Sequence, residues 1–223
     1  MTTSETLIAT SRAYKPEAVK SGLLTEHAEK LQERLPAGVD LPKWTAAVVE
    51  LLEANPKCLG CTKESIVKAV YEAATAGLPA GNDLFYFVPR SIKGANSLTF
   101  QIGYKGQIQL AKQSGQVKDI YSRLVFDGDE FNWIQGGDEK IEHTPALDAE
   151  REQRPISHVY AVAVLPCGRC LFECWSRDRL EQHVKNHVKG GWDPKDWQAM
   201  AKKTLVRVFF NTGRLQQTTD QRG

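Results

Sequence analysis

No stretch of this sequence stays apolar long enough to cross a bilayer. The longest runs, such as Tyr160–Leu165, fall far short of the roughly 18 residues that a spanning helix needs. The N-terminus lacks the apolar core of a secretory signal, so the sequence reads as an unexported protein. Cysteine is sparse, with five in 223 residues. That odd, low count argues against a disulfide framework and fits a reducing compartment. Gly106, Gly115 and the Gly136-Gly137 pair are not followed by the Lys-Ser or Lys-Thr of a phosphate loop, so no nucleotide cradle is visible. Neither a nucleophile elbow nor an HExxH helix occurs. The sequence therefore offers no nucleotide motor, no serine hydrolase and no zinc protease.

What is present is an ordinary globular composition, 41% hydrophobic and 25% charged, in a length that suits one decorated domain or two small ones. Charge of neither sign dominates, since 29 Lys+Arg face 27 Asp+Glu. The distribution is far less even. Between Val88 and Phe126 six basic residues (Arg90, Lys93, Lys105, Lys112, Lys118, Arg123) face one acid, Asp119. From Asp127 to Glu152 nine acids face Lys140 and Arg151, and from Lys195 onward six basic residues face two acids. Segregated blocks of this kind create local fields that the net charge of +2 conceals.

Periodicity predicts helices first. Leucines at 23, 24, 31 and 35 recur at helical spacing within Pro16–Leu35, before Pro36-Ala-Gly38. A second helix is predicted over Thr45–Ala54, ended by Asn55-Pro56. A third starts at a Thr62 cap, with Glu64 in its first turn and Gly77 as its left-handed terminator. Strand-like runs follow. Leu84–Val88 and Leu98–Ile102 form a predicted hairpin around a loop over Pro89–Ser97 that carries Arg90 and Lys93 near its tip. Tyr104 to about Ser114 reads as a short helix closed by Gly115. Ile120–Phe126, Phe131–Ile134, His158–Leu165 and Cys170–Trp175 read as strands. Two helices end the chain, one capped by Ser176 over Arg177–Lys189 and one started by Asp193-Pro194-Lys195-Asp196. The sum is an α+β fold, a small and mostly antiparallel sheet with helices packed around it, rather than alternating βαβ units.

Three constellations bear on chemistry. Cys58-x-x-Cys61 and Cys167-x-x-Cys170 have zinc-knuckle spacing, with Cys174, His183 and His187 nearby, which makes a zinc module one alternative. Asp127, Asp129 and Glu130 make a metal-dependent nuclease another, although acids are common in such turns. The third is the block from Gln101 to Gly115. Gly103 and Gly106 allow close backbone approach, either to a ligand or simply at a strand-to-helix junction. Tyr104 offers a stacking face, and Lys105 and Lys112 add positive charge. In the final helix Trp197, Met200, Ala201, Thr204, Leu205 and Val208 make a core stripe, which leaves Lys203 and Arg207 on one flank and Lys195 and Lys202 on the other.

The ordered patches Ala73-Ala-Thr-Ala-Gly-Leu78, Phe87-Val-Pro-Arg90, Phe100-Gln-Ile-Gly-Tyr-Lys-Gly106, Leu110-Ala-Lys-Gln-Ser-Gly115, Asp129-Glu-Phe131, Ile141-Glu-His-Thr-Pro145, His158-Val-Tyr-Ala161 and Met200-Ala-Lys-Lys-Thr204 resemble the RecT family of phage recombination proteins. The resemblance is collinear from about Thr45 to Phe210. It implies a helical lead-in over residues 1–44, an annealing core over 45–210 related to that of the Redβ-type proteins, and a short polar tail over 211–223. The implied activity is ATP-independent binding of single-stranded DNA and its annealing to a complement, with no catalytic centre and no cofactor. Implied partners are single-stranded DNA, the annealed duplex, a phage exonuclease and further copies of the chain in a ring or filament, in the cytoplasm of a bacterial host. Gln101, Tyr104, Lys105 and Lys112 fall in the central family motif, and Lys202, Lys203 and Arg207 in the late helix motif. Arg90, Lys93, Lys118 and Arg123 join them on charge. The expectation is that both basic segments hold the phosphates of one strand and leave its bases legible.

Overall fold

The computed structural model describes Gly22 and residues 26–81, 83–92, 94–137 and 139–216. The chain divides into two compact units, Met1–Gly106 and Gln107–Gly223. Lys93 and nine residues of the first predicted helix, Pro16–Leu35, lie outside the described residues.

In the first unit α1 (Ala28–Gln32) is the described part of that first helix. Helix α2 (Leu41–Glu53) starts four residues before the Thr45 predicted, because Asp40 accepts the Lys43 amide at 2.9 Å and Pro42 occupies the first turn. Its apolar stripe, Trp44, Val48, Val49 and Leu52, is buried. Asn55-Pro56 ends α2 and also opens a one-turn helix, α3 (Pro56–Leu59), with Asn55 as cap. Helix α4 (Lys63–Ala76) has the predicted Thr62 cap and the left-handed Gly77 at φ 67°. Strands β1 (Phe85–Ile92) and β2 (Ala95–Ile102) pair antiparallel along their full lengths. The residues expected to form a loop, Pro89–Ser97, are therefore mostly ladder, and Ile92 opposite Ala95 leaves a two-residue turn with Gly94 at φ 81°. A short turn suffices because glycine supplies the positive φ that such connections demand. Phe85, Phe87 and Leu98 face inward, and Ser65 of α4 accepts the Leu98 amide at 2.9 Å. Strand alternation sends Tyr86, Val88, Arg90 and Ile92 to the other face, together with Thr99 and Gln101.

Helix α5 (Tyr104–Gln113) begins in the first unit and runs on past Gly106. The second unit holds a three-stranded antiparallel sheet of β3 (Asp119–Phe126), β6 (Ile156–Val164) and β7 (Cys170–Ser176), with β6 in the centre. Strand β4 (Glu130–Ile134) pairs with β5 (Lys140–Thr144), a strand that the polar run Lys-Ile-Glu-His-Thr concealed at sequence level. This hairpin lays Phe131, Trp133 and Ile141 on the sheet face formed by Val125, Tyr160, Val162 and Cys174. Helices α6 (Arg177–His187) and α7 (Trp197–Asn211) serve the other face, which carries Val159, Ala161 and Ala163 at 0% exposure. Helix α6 has its predicted Ser176 cap, while α7 starts at Trp197. Asp193 instead holds the preceding turn by accepting the Lys195 amide at 2.9 Å, so the proline start signal builds a turn rather than the first helical turn.

Asp129 explains two of the sequence patches. Its side chain is fully buried, accepts Arg151 Nε and Nη2 at 2.6 Å each, and accepts the amides of Phe126 at 2.8 Å and Ala146 at 2.9 Å. His143 Nε2 is 3.0 Å from the same carboxylate. A carboxylate only accepts, so Nε2 carries the proton, and in the neutral ring Nδ1 accepts from the Tyr160 hydroxyl 3.1 Å away. Asp129, His143 and Tyr160 are thus a buried polar knot that ties the hairpin to the sheet.

Candidate nucleic-acid interface

The residues behind the metal-based alternatives have other partners within each unit. Every oxygen lone pair that Asp129 presents is engaged by the knot, and the Arg151 guanidinium holds its carboxyl well below the usual carboxylate range. Cys58 and Cys61 are buried and donate to the carbonyls of Phe87 and Lys57. Burial raises both thiols and pushes Cys174 up to about 12, so in the metal-free fold these three stay protonated and unreactive. Among the described residues no three His, Cys, Asp or Glu side chains come together as a metal site.

The first unit gathers Arg90, Gln101, Tyr104 and Lys105 around the outer face of the β1–β2 hairpin and the start of α5. Gln101 stands opposite Tyr86 in the ladder, and Arg90 projects from the same face, exposed. The two glycines of the motif serve the fold. A Cβ on Gly106 would overlap the Leu84 carbonyl oxygen, and one on Gly103 would stand 2.5 Å from the Asp83 carbonyl oxygen and 3.0 Å from Tyr86 Cε2. The room they create is filled by this chain's own backbone at residues 83 and 84, so the junction reading holds for them. Lys105 Nζ lies 3.3 Å from Asp83 Oδ2, with both side chains about half exposed. Asp83 itself sits at φ 57°, in the left-handed region that few non-glycine residues enter. Sequence reasoning missed Asp83 and Tyr86. Tyr86 was legible as an alternating strand residue, but its exposure was not.

The second unit holds Lys112, Lys118, Arg123, Lys202, Lys203 and Arg207 in two groups. Lys112 Nζ lies 2.6 Å from Asp119 Oδ1, and the Lys112 hydrogen bond keeps the Asp119 carboxyl below its usual range, with Arg123 contributing. Lys118 is exposed beside them. Arg123 pairs with Tyr160 across the ladder and its guanidinium stands 5.3 Å from the Tyr121 ring centroid, on the sheet face that the β4–β5 hairpin covers. The second group rides on α7, which packs on the opposite face. Lys202 is exposed, and Lys203 and Arg207 are half-buried one helical turn apart. Burial, and after it the neighbouring guanidinium, pulls the Lys203 ammonium below its usual value. Neither cation has an acidic partner among the described residues. Like charges at this spacing repel, and no described acid offsets that repulsion.

Comparison with known proteins gives the family. The RecT family model matches residues 42–212. Over 192 residues the chain is 34% identical to Protein RecT of Escherichia coli (strain K12), a match taking in 82% of this chain and 70% of that protein. It is also 31% identical over 201 residues to the uncharacterized protein YqaK of Bacillus subtilis (strain 168), with 87% of this chain and 66% of that one covered. No helix among the described residues is long and apolar enough to cross a membrane. The chain therefore belongs to the RecT family, a family of DNA recombination and annealing proteins.

Proposed function

We propose that this chain binds single-stranded DNA and anneals it to a complementary strand without ATP. The observation that carries the reading is the Lys203–Arg207 pair, two half-buried cations one turn apart with no acidic partner among the described residues. A phosphate placed between them offsets their mutual repulsion. Lys202 and, in the first unit, Arg90 extend the same chemistry. Lys105 and Lys112 exchange Asp83 and Asp119 for phosphates, at small cost because both ion pairs are about half exposed. Lys118 and Arg123 take further phosphates, Lys93 belongs to the same basic run, and Gln101 and Tyr104 contact the bases. Cations grip the backbone and carry no sequence information, so the base edges stay available to a second strand and pairing supplies the specificity. No bond to the DNA is made or broken, and binding alone drives the pairing. The family supports assembly of several copies on the strand, supply of that strand by a phage exonuclease, and action in the cytoplasm of a bacterial host.

The test measures affinity for a fluorescent single-stranded oligonucleotide across a salt series, with annealing of two complementary oligonucleotides followed in the absence of nucleotide. If about six phosphates are neutralised per protomer, log K falls with log salt at a slope near −4, at about −0.7 per contact. Lys203→Ala and Arg207→Ala each flatten that slope by about 0.7 and weaken all sequences alike. A slope near zero, or annealing that demands ATP, refutes the proposal.

A further inference from the structure

The outer face of the β1–β2 hairpin carries an aromatic side chain that phosphate binding does not use. Tyr86 is 41% exposed on this face. Its ring touches Gly103, where a Cβ would come within 3.0 Å of Cε2, so the ring sits against main chain that a larger residue would crowd. Asp83, Lys105 and Tyr104 all lie near enough to act on its hydroxyl, so the cation and the second aromatic belong to the same corner. Gln101 stands directly opposite in the ladder and offers an amide, donor and acceptor at once. On the same face Ile92 is 45% exposed and Arg90 is exposed.

We infer that Tyr86 is a stacking seat for one unpaired nucleobase, with Tyr104 beside it, Gln101 at the base edge and Lys105 on the adjoining phosphate. The inference rests on the proposed function and specifies its substrate. A row of cations grips single and double strands alike, whereas a base reaches an aromatic seat only when it is free to leave the stack. Every base has a π-face, so the seat prefers unpaired DNA without preferring a sequence. The glycine at 103 then has a reason beyond the junction, because it leaves room for the Tyr86 ring beside it.

The experiment compares the full-length chain with its Tyr86→Ala and Tyr86→Trp variants, using a fluorescent single-stranded oligonucleotide, an abasic oligonucleotide of the same length, and the corresponding duplex. Tyr86→Ala is expected to weaken single-strand binding by about 5- to 150-fold, the range for one base–aromatic stack, with an unchanged salt slope. Tyr86→Trp keeps wild-type affinity, which separates stacking from any loss of fold. On the abasic strand and on the duplex all three proteins bind alike. Equal affinity of wild type and Tyr86→Ala for the ordinary strand overturns the inference, and so does a loss that persists undiminished on the abasic strand. A wild-type chain that binds none of the three probes overturns the functional reading and this inference together, whereas salt-dependent binding indifferent to Tyr86 overturns the seat alone.

Discussion

Replacing Arg151 with methionine gives a direct measure of what the buried knot contributes. The Asp129 side chain has no solvent exposure, and two of its five hydrogen bonds come from the Arg151 fork at 2.6 Å. Removing the fork leaves a buried carboxylate with two backbone amides and one imidazole N–H, and the Phe126 ring, 4.6 Å from the guanidinium, loses its cation. Breaking a buried pair by deleting one partner costs about 3–5 kcal/mol. That is a large fraction of the roughly 5–15 kcal/mol that holds a whole domain. With a urea m-value of about 2 kcal/mol/M, the midpoint of unfolding drops by about 2 M. The pH dependence provides a second readout. Because Arg151 depresses the Asp129 carboxyl in the folded state, its contribution is complete above the ordinary aspartate value of about 3.9 and is lost as pH falls from there toward the folded value. Wild type is therefore expected to lose stability steeply below about pH 4, and Arg151→Met to lose much less over the same range. Urea unfolding followed by near-UV circular dichroism at pH 7 and at steps down to pH 3 measures both. A variant within about 0.5 kcal/mol of wild type at pH 7, where an ordinary surface change falls, refutes the account.

Other consequences are equally concrete. Asp83→Asn releases Lys105 from its 3.3 Å ion pair and is expected to tighten single-strand binding by up to about fivefold, the worth of an exposed pair; weaker binding contradicts the role given to Lys105. Gly106→Ala forces a methyl into the Leu84 carbonyl and is expected to cost about 2–3 kcal/mol or to leave the protein insoluble, while a stable, wild-type-like protein by thermal melting argues against the packed junction. Cys167 is exposed whereas Cys58, Cys61 and Cys174 are buried, so a thiol-specific reagent modifies Cys167 in the native protein and reaches those three only after unfolding. Uniformly fast reaction of all five contradicts the burial pattern.

Local chemistry made many elements legible in advance. Thr62 and Gly77 bracket α4 because a hydroxyl cap and a left-handed glycine act within a turn of where they stand. Ser176 does the same for α6. Misread boundaries have local causes too. Asp40 caps α2 ahead of its apolar stripe, and the Asp193-Pro194 signal spends itself on a turn before α7. Strand β5 was hidden because it is an exposed hairpin strand with only Ile141 and His143 turned inward.

The sequence by itself determined the segregation of charge, the mixed α+β class and the family, since each is a property of residue order that survives any arrangement in space. Tertiary structure alone decided what the motif residues do. Asp129 became part of a buried knot because Arg151 and His143, both distant in sequence, close on it. The motif glycines became room for the chain's own carbonyls, and Tyr86 became an open aromatic face. Lys105 and Lys112 are exposed and reach an acid, whereas Lys203 and Arg207 are half-buried without an acidic partner among the described residues. Whether a carboxylate neutralises a given cation depends on distances of a few ångströms between segments, and those are set by packing rather than by spacing along the chain.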